Sequence, residues 1–416
     1  MYRVFKFGGA SVKDAEGVRN LKKILEIYKD EKLIVVISAM GKMTNQLEKV
    51  LDSWYYAPES LQSNFEIVKN FHLDIARQLE NKPEEITAVL LPVLDRLFEI
   101  LSGKNDQNYD KDYDNIVSFG EYLSTKLIST YLNLNGYLNE FSCAIHLVKT
   151  DDSYREGKVD WKDTEKAIQS FIAKHPNKPI ITQGFIGGTM TGEVTTLGRE
   201  GSDFSAAIFA YCLNAKEVTI WKDVPGLLNA DPKFYPNAVK LDEISYREAI
   251  ELAYYGATII HPKTLKPLQN KNIPLFVKSF LAPYDAGSII ADVEPLEKIP
   301  SYIFKTEQIL LSIFPKDFSF IAADNLTKIF SFISKNKLKI NLMQNSALSF
   351  TICIDNKPNR FANLLKDLQE EFVVKYNTNK KLITIRHYTQ EAIEQVIGNQ
   401  AVILEQRSRS TVQVVL

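Results

Sequence analysis

Residues 195–213, TTLGREGSDFSAAIFAYCL, set a guanidinium (Arg199), a hydroxyl (Ser202) and a carboxylate (Asp203) on a glycine-broken turn ahead of an apolar helical stretch. Arginine grips a carboxylate through two parallel hydrogen bonds, and the exposed N–H groups at a helix start attract anions. Such a turn can hold a small, multiply charged molecule against a second anion. A complementary pattern opens the chain. KFGGAS at 6–11 puts Lys6 at the end of an apolar run, with Gly8-Gly9 two residues on. Paired glycines let the backbone approach a phosphate because no Cβ intervenes, and Lys6 can place its ammonium over the same oxygens. A Gly-Gly pair after a strand is also an ordinary turn, and KFGGAS matches neither the P-loop nor the G-x-G-x-x-G pattern. Two further loops share its character. QGFIGGTMTGEVTTLGREGSD holds six glycines in 21 residues, and SAMGKMTN offers the Ser38 and Thr44 hydroxyls.

The segments before these loops have strand length and strand composition: Tyr2–Phe7, Leu33–Ser38, Pro179–Gly184, Glu217–Trp221 and Pro274–Ser279. Runs such as IVVI and TIW lack polar alternation, as expected of strands covered on both faces. Helical patterns intervene at Ala15–Lys29 and Asp203–Leu213, so a three-layer α/β domain with a mostly parallel sheet is expected. Loops at the carboxyl ends of parallel strands are where open sheets bind ligands. From about Ser60 to Ser102 the pattern is purely helical, with Pro92 expected to kink or divide it. This reads as a helical insertion over about 60–115 in a domain spanning 1–295.

DVEPLEKIPS at 292–301 reads as a linker. Beyond it the spacing predicts strands at Gln308–Phe314, Lys339–Asn345, Leu348–Ile354, Phe372–Asn377, Lys381–His387, Ala401–Gln406 and Thr411–Leu416. Helices are expected at Ala322–Lys335, Phe361–Glu371 and Glu391–Val396. Strand–helix–strand–strand occurring about twice over 302–416 suggests two small α+β units of ferredoxin-like type.

Bulk properties narrow the function. A chain of 416 residues exceeds one ordinary core. Hydrophobic content of 45% and charged content of 24% are those of a soluble globular protein. Fifty basic and 51 acidic residues leave no electrostatic footprint for nucleic acid or an anionic membrane. Cys143, Cys212 and Cys353 lie scattered in apolar runs, as buried spectator thiols do, so neither a disulfide framework nor a thiolate metal site is expected. His146 and His261 have no serine or cysteine partner in view; His261, before Pro262, reads as structural. The N-terminus lacks a signal pattern and no apolar run approaches membrane-span length, so the expectation is a cytoplasmic protein.

Several motifs together carry a resemblance: KFGGAS at 6–11, SAMGKMTN at 38–45, SFGE at 118–121, QGFIG…TTLGREGSD at 183–203, WKDVPGLLNADPK at 221–233 and YGATIIHP at 255–262. In this order and spacing they resemble the aspartate kinases of the amino acid kinase superfamily, and the tail resembles that family's tandem ACT domains. The resemblance implies the amino acid kinase fold and phosphorylation of the aspartate side-chain carboxylate by ATP, with Mg²⁺ held mainly by the nucleotide phosphates. It implies that Lys6 contacts the transferring phosphoryl group, that Gly8 and Gly9 cradle phosphate, and that Asp203 organises Lys6 and the amino acid. Ser38, Thr44, Glu121, Arg199 and Ser202 would surround aspartate, with Arg199 on a carboxylate and Glu121 near the α-ammonium. Lys222, Asp223, Leu228 and Lys233 would lie along the nucleotide. This chain departs from the family there: Lys222 replaces a frequent threonine, Leu228 an aromatic, Lys233 an arginine and Thr258 a lysine. No protein-held metal is expected.

The tail implies a homodimer and feedback by lysine or threonine, or dimerisation alone. Its sensor loop, DFSFIAADN, lacks the usual glycine, and Asn341 stands where the family carries an acidic residue. No fused homoserine dehydrogenase is expected. The rival readings are a kinase of the same superfamily acting on glutamate or acetylglutamate, and a non-catalytic amino-acid-sensing regulator.

Overall fold

The structure, a computed structural model, describes residues 1–79, 82–257, 259–294, 298–317 and 319–416. Thr258, residues 295–297 of the expected linker and Phe318 of the DFSFIAADN loop lie outside these. The described residues form two compact units: those of 1–227, 240–250 and 260–295, and those of 228–239, 251–259 and 296–416.

The first unit is built on an eight-stranded sheet. Its order is Glu243–Ser245, Ser288–Ala291, Leu275–Ser279, Glu217–Lys222, Tyr2–Phe7, Lys32–Ile37, Ile180–Gln183, Glu140–Ser142. All neighbours run parallel except Leu275–Ser279 against Ser288–Ala291. Burial follows the sequence grammar: Leu33–Ile37 and Val218–Trp221 are buried at every position, as strands covered on both faces must be. Side chains alternate across the first strand. Phe5 and Phe7 point to one face, where they meet the fully buried Trp221 at ring distances of 5.6 and 6.0 Å. Lys6 is thereby directed to the other face, against the helix Gly201–Leu213. That helix is buried around nearly its whole circumference, as a helix apolar on all sides must be. It packs on Tyr2–Phe7, Lys32–Ile37 and Glu217–Lys222.

The insertion folds as the helices Leu61–Gln78, Pro83–Ser102 and Tyr109–Val117. Pro92 neither divides nor ends its helix. The backbone bond it removes is offset by Leu90, Leu94 and Leu97, which seat the helix in the core on both sides of the proline.

The second unit is a six-stranded antiparallel sheet in the order Ile340–Asn345, Phe350–Asp355, Ser301–Pro315, Phe372–Arg386, Thr411–Val415, Leu404–Arg407. Two of its strands are longer than the sequence suggests. Ser301–Pro315 begins seven residues before the expected start at Gln308, and the expected pair Phe372–Asn377 and Lys381–His387 is one strand, Phe372–Arg386. The polar stretches TEQ and NTNKK read as breaks but are absorbed as bulges. Glu307 (φ 53°) and Asn379 (φ 55°) take left-handed backbone there, and the pairing register shifts between Lys305 and Leu310. Both α+β halves therefore share one continuous sheet.

A polar network fills the irregular centre. Asn341 donates to Gln308 and to Asp355, both at 2.8 Å, and accepts from Lys305 at 2.8 Å. The second half has one helix, Gln390–Ile397, and segment 228–239 supplies further cover. Ala230, Tyr235 and Ala238 pack with Tyr302, Ile383 and Ile393, and Tyr235 stacks on Tyr302 at 4.6 Å.

Candidate active site

Four adjacent parallel strands end at one edge, in register: Phe7 lies opposite both Ile37 and Trp221, and Ile37 opposite Gln183. With strands about 4.8 Å apart, the loops after Phe7, Ile37 and Gln183 start within roughly 10 Å of one another. Backbone bonds stitch them together. The Ser38 N–H donates to the Phe7 carbonyl at 3.1 Å, Gly184 N–H to Ile37 at 2.9 Å, and Gly41 N–H to Gly9 at 2.9 Å.

Lys6 projects from the first strand to Asp203 in the first turn of the helix Gly201–Leu213, with Nζ 2.6 Å from Oδ1. Both side chains are nearly closed to solvent, at 12% and 6% exposure. Two glycines make this approach possible. A Cβ on Gly9 would sit 2.5 Å from the Ala39 carbonyl oxygen, and one on Gly184 would sit 2.6 Å from the Ser202 Cβ. Gly8 lies beside the ammonium, a Cβ there falling 3.4 Å from Lys6 Nζ. A cation flanked by Cβ-free backbone can take phosphate oxygens.

Glu121 is buried, at 2% exposure, near the start of the helix Phe119–Leu134. Its Oε1 accepts from the Ala39 N–H at 3.2 Å, whereas Oε2 is buried with no partner among the described residues. Burial raises its pKa to about 8, against the opposing pull of the Ala39 N–H and the Lys6 ammonium. An unsatisfied, desolvated carboxyl oxygen calls for a donor, and a ligand ammonium would meet that need.

Ser38 and Thr44 are half-buried in the loop after Ile37 and at the start of the helix Met43–Tyr56. Ser202 is buried beside Asp203, and Arg199 is exposed on the turn before them. The turn is pinned at both ends. Leu197 donates to the Phe185 carbonyl at 2.8 Å and accepts from Lys263 Nζ at 2.9 Å. Glu200, at φ 54°, accepts from the His261 N–H at 2.8 Å. His261 itself caps the helix Pro262–Asn270, its Nδ1 accepting from the Lys263 N–H.

Lys222 ends the strand beside Lys6's, and Asp223 follows it, exposed. Leu228 and Lys233 belong to segment 228–239, which folds with the second unit. The structure thus brings Lys6, Gly8, Gly9, Ser38, Thr44, Glu121, Arg199, Ser202 and Asp203 to one sheet edge. Sequence reasoning passed over Gly184 and the ties through His261 and Lys263. The clue to Gly184 was its place at the end of an apolar run, like Gly8. Among the described residues no group of three or more His, Cys, Asp or Glu side chains could hold a metal, and no helix is long and apolar enough to cross a membrane.

Comparison with known proteins gives consistent results. The amino acid kinase family model matches residues 1–279. Aspartokinase 2, chloroplastic, of Arabidopsis thaliana is 30% identical over 411 residues, covering 92% of this chain and 73% of that protein. Aspartokinase 3, chloroplastic, of the same organism is 31% identical over 415 residues, covering 95% and 71%. The crystal structure of E. coli aspartokinase III in complex with aspartate and ADP shares the fold, at a TM-score of 0.83 and 24% identity over 100% of this chain and 96% of that one.

Gly184→Ala tests the close approach of strand end and helix start. The added methyl is expected to cost about 1–3 kcal/mol of stability, read as an earlier urea midpoint. A midpoint equal to that of the unaltered protein would show that Ser202 has room to spare.

Proposed function

Because the chain belongs to the amino acid kinase family, and within it to the aspartokinases, it is an enzyme that phosphorylates the side-chain carboxylate of L-aspartate with ATP, and we propose the following division of labour. Lys6 and the N–H groups around Gly8 and Gly9 receive the nucleotide phosphates. Asp203 holds the Lys6 ammonium in place. Arg199 grips the α-carboxylate of aspartate, Glu121 takes its α-ammonium, and Ser38, Thr44 and Ser202 hydrogen-bond its remaining oxygens. The observation that carries this reading is the Lys6–Asp203 contact at the edge where three loops converge, with the unpartnered Glu121 oxygen nearby.

The nucleophile, an aspartate carboxylate with reference pKa about 4, is already ionised at neutral pH. No general base is needed. The obstacle is repulsion between that carboxylate and the γ-phosphate, so positioning and cationic stabilisation dominate. A carboxylate oxygen attacks γ-phosphorus as the bond to the β–γ bridging oxygen breaks, giving 4-phospho-L-aspartate and ADP. Mg²⁺ held mainly by the nucleotide phosphates would supply charge neutralisation beside the Lys6 ammonium. Lys222 and Asp223 lie along the nucleotide, with Leu228 and Lys233 as further contacts. The product heads the route to lysine, threonine and methionine in the cytoplasm. The tail makes a homodimer, with lysine or threonine as effector. E. coli aspartokinase III has been crystallised with lysine and aspartate in its T-state.

Lys6→Ala is expected to abolish hydroxamate-trapped acyl phosphate from aspartate and Mg-ATP while leaving the fold intact by circular dichroism. Undiminished turnover would remove Lys6 from the mechanism. In the same assay, turnover with glutamate or acetylglutamate but not aspartate would favour the rival acceptors.

Glu121 gives a pH signature. Its folded value of about 8 lies above the ordinary 4.5, so between these pH values the empty folded site keeps a proton that the unfolded chain releases. Stability from this group is complete below about pH 4.5 and is lost as pH rises through about 8. Glu121→Gln, neutral throughout, should lose less stability than the unaltered enzyme between pH 5 and 8. Aspartate binding at pH 7 should release a proton, seen by calorimetry in buffers of different ionisation enthalpy. Buffer-independent heats would deny that the ammonium meets Glu121.

Titration calorimetry with lysine and with threonine is expected to show binding of one of them; heats absent for both would reject both as effectors.

A further inference from the structure

Asp114, on the helix Tyr109–Val117, is completely buried, and among the described residues no ion pair reaches its carboxylate. Its carboxylate accepts instead from donors on a distant strand end and a distant loop. Oδ2 accepts from the Thr196 N–H at 2.8 Å and the Arg155 N–H at 2.9 Å. Oδ1 accepts from the Thr196 hydroxyl at 2.6 Å and again from Arg155 at 3.1 Å. The two backbone N–H groups facing it can only donate, and a carboxylate offers both oxygens to them where an amide offers one. Arg155 takes left-handed backbone at φ 68° in presenting its N–H, and its guanidinium lies over the Tyr113 ring at 4.1 Å. The Thr196 carbonyl accepts from Gly157 at 2.9 Å, which closes the loop onto the same strand.

Thr196 ends the short strand Val194–Thr196, three residues before Arg199. Asp114 stands seven residues before Glu121, one helix earlier. One carboxylate therefore joins the lead-in to Glu121 with the lead-in to Arg199, Ser202 and Asp203. We infer that Asp114 is a positioning residue for acceptor binding, clamping the 197–203 turn against the helix that leads to Glu121 and so setting the affinity for aspartate. Asp114 touches neither substrate. The inference rests on assigning that turn to the amino acid.

The test is steady-state kinetics on the full-length enzyme carrying Asp114→Asn, Thr196→Val or Thr196→Ser, with Arg199→Ala as reference. Asp114→Asn is expected to raise KM for aspartate about tenfold, and Thr196→Val about threefold, with KM for ATP unchanged and kcat at saturating aspartate within about twofold. Thr196→Ser, which keeps the hydroxyl, should restore the original KM. The double variant Asp114→Asn/Thr196→Val should be no worse than Asp114→Asn, since both break one clamp. If Asp114→Asn does not fold, the two Thr196 variants decide. An aspartate KM unmoved by Thr196→Val, or a loss shared equally by both KM values and kcat, would overturn the inference. Were Arg199→Ala also to leave the aspartate KM unmoved, the assignment of the turn, and the inference with it, would fall. A raised KM in Arg199→Ala alone would leave the assignment standing and sink only the clamp.

Discussion

The 2.6 Å contact between Lys6 and Asp203 joins the end of the first strand to the beginning of a helix some two hundred residues later, out of reach of most solvent. A charge so placed needs its partner, because removing one member strands the other in a poorly hydrated site. Strand alternation sends Phe5 and Phe7 into the core on one face and leaves Lys6 for the other. The helix carrying Asp203 is apolar nearly all round and rich in alanine, so it lies close on that face. Gly184 gives the helix start the space to come down beside Ser202. With these conditions met, the ammonium is held in one place at the carboxyl edge of the sheet.

The same economy governs Glu121. The Ala39 N–H satisfies one oxygen, and among the described residues nothing satisfies the other. Burial without a donor on that oxygen favours the neutral form of the carboxyl. One carboxyl group is thus paired with a lysine while the other keeps an oxygen without a partner among the described residues, a division set by environment.

Much of this was legible in the residues themselves. The β-branched runs marked the strands of the first sheet, and the glycine-rich loops marked their carboxyl ends. KFGGAS and TTLGREGSD named the charged groups, and motif order named the family. What stayed hidden depends on long-range geometry. Nothing local to Asp114 shows that its hydrogen-bond donors come from residues 155 and 196. Nothing local to Glu121 shows that one oxygen is stranded. The breaks at TEQ and NTNKK look like turns because polar runs usually are; here, neighbouring strands on either side keep the backbone extended through a bulge. Leu228 and Lys233 sit in a motif continuous with Lys222, yet Ala230 and Tyr235 pack on the other sheet and carry the segment with them.

The two fifteen-residue strands of that sheet also bear on how the polypeptide matures. Ser301–Lys305 hydrogen-bonds along Leu382–Arg386, about eighty residues downstream, while Gln308–Ile313 pairs with the much nearer Phe350–Asp355. Local pairings form early and distant ones late. During synthesis, the first half of the sheet can assemble while its opening segment waits, edge uncovered, for a strand not yet translated. A nascent chain paused between residues 355 and 382 would therefore expose an apolar ribbon, Tyr302–Phe304, to any neighbour able to add a strand.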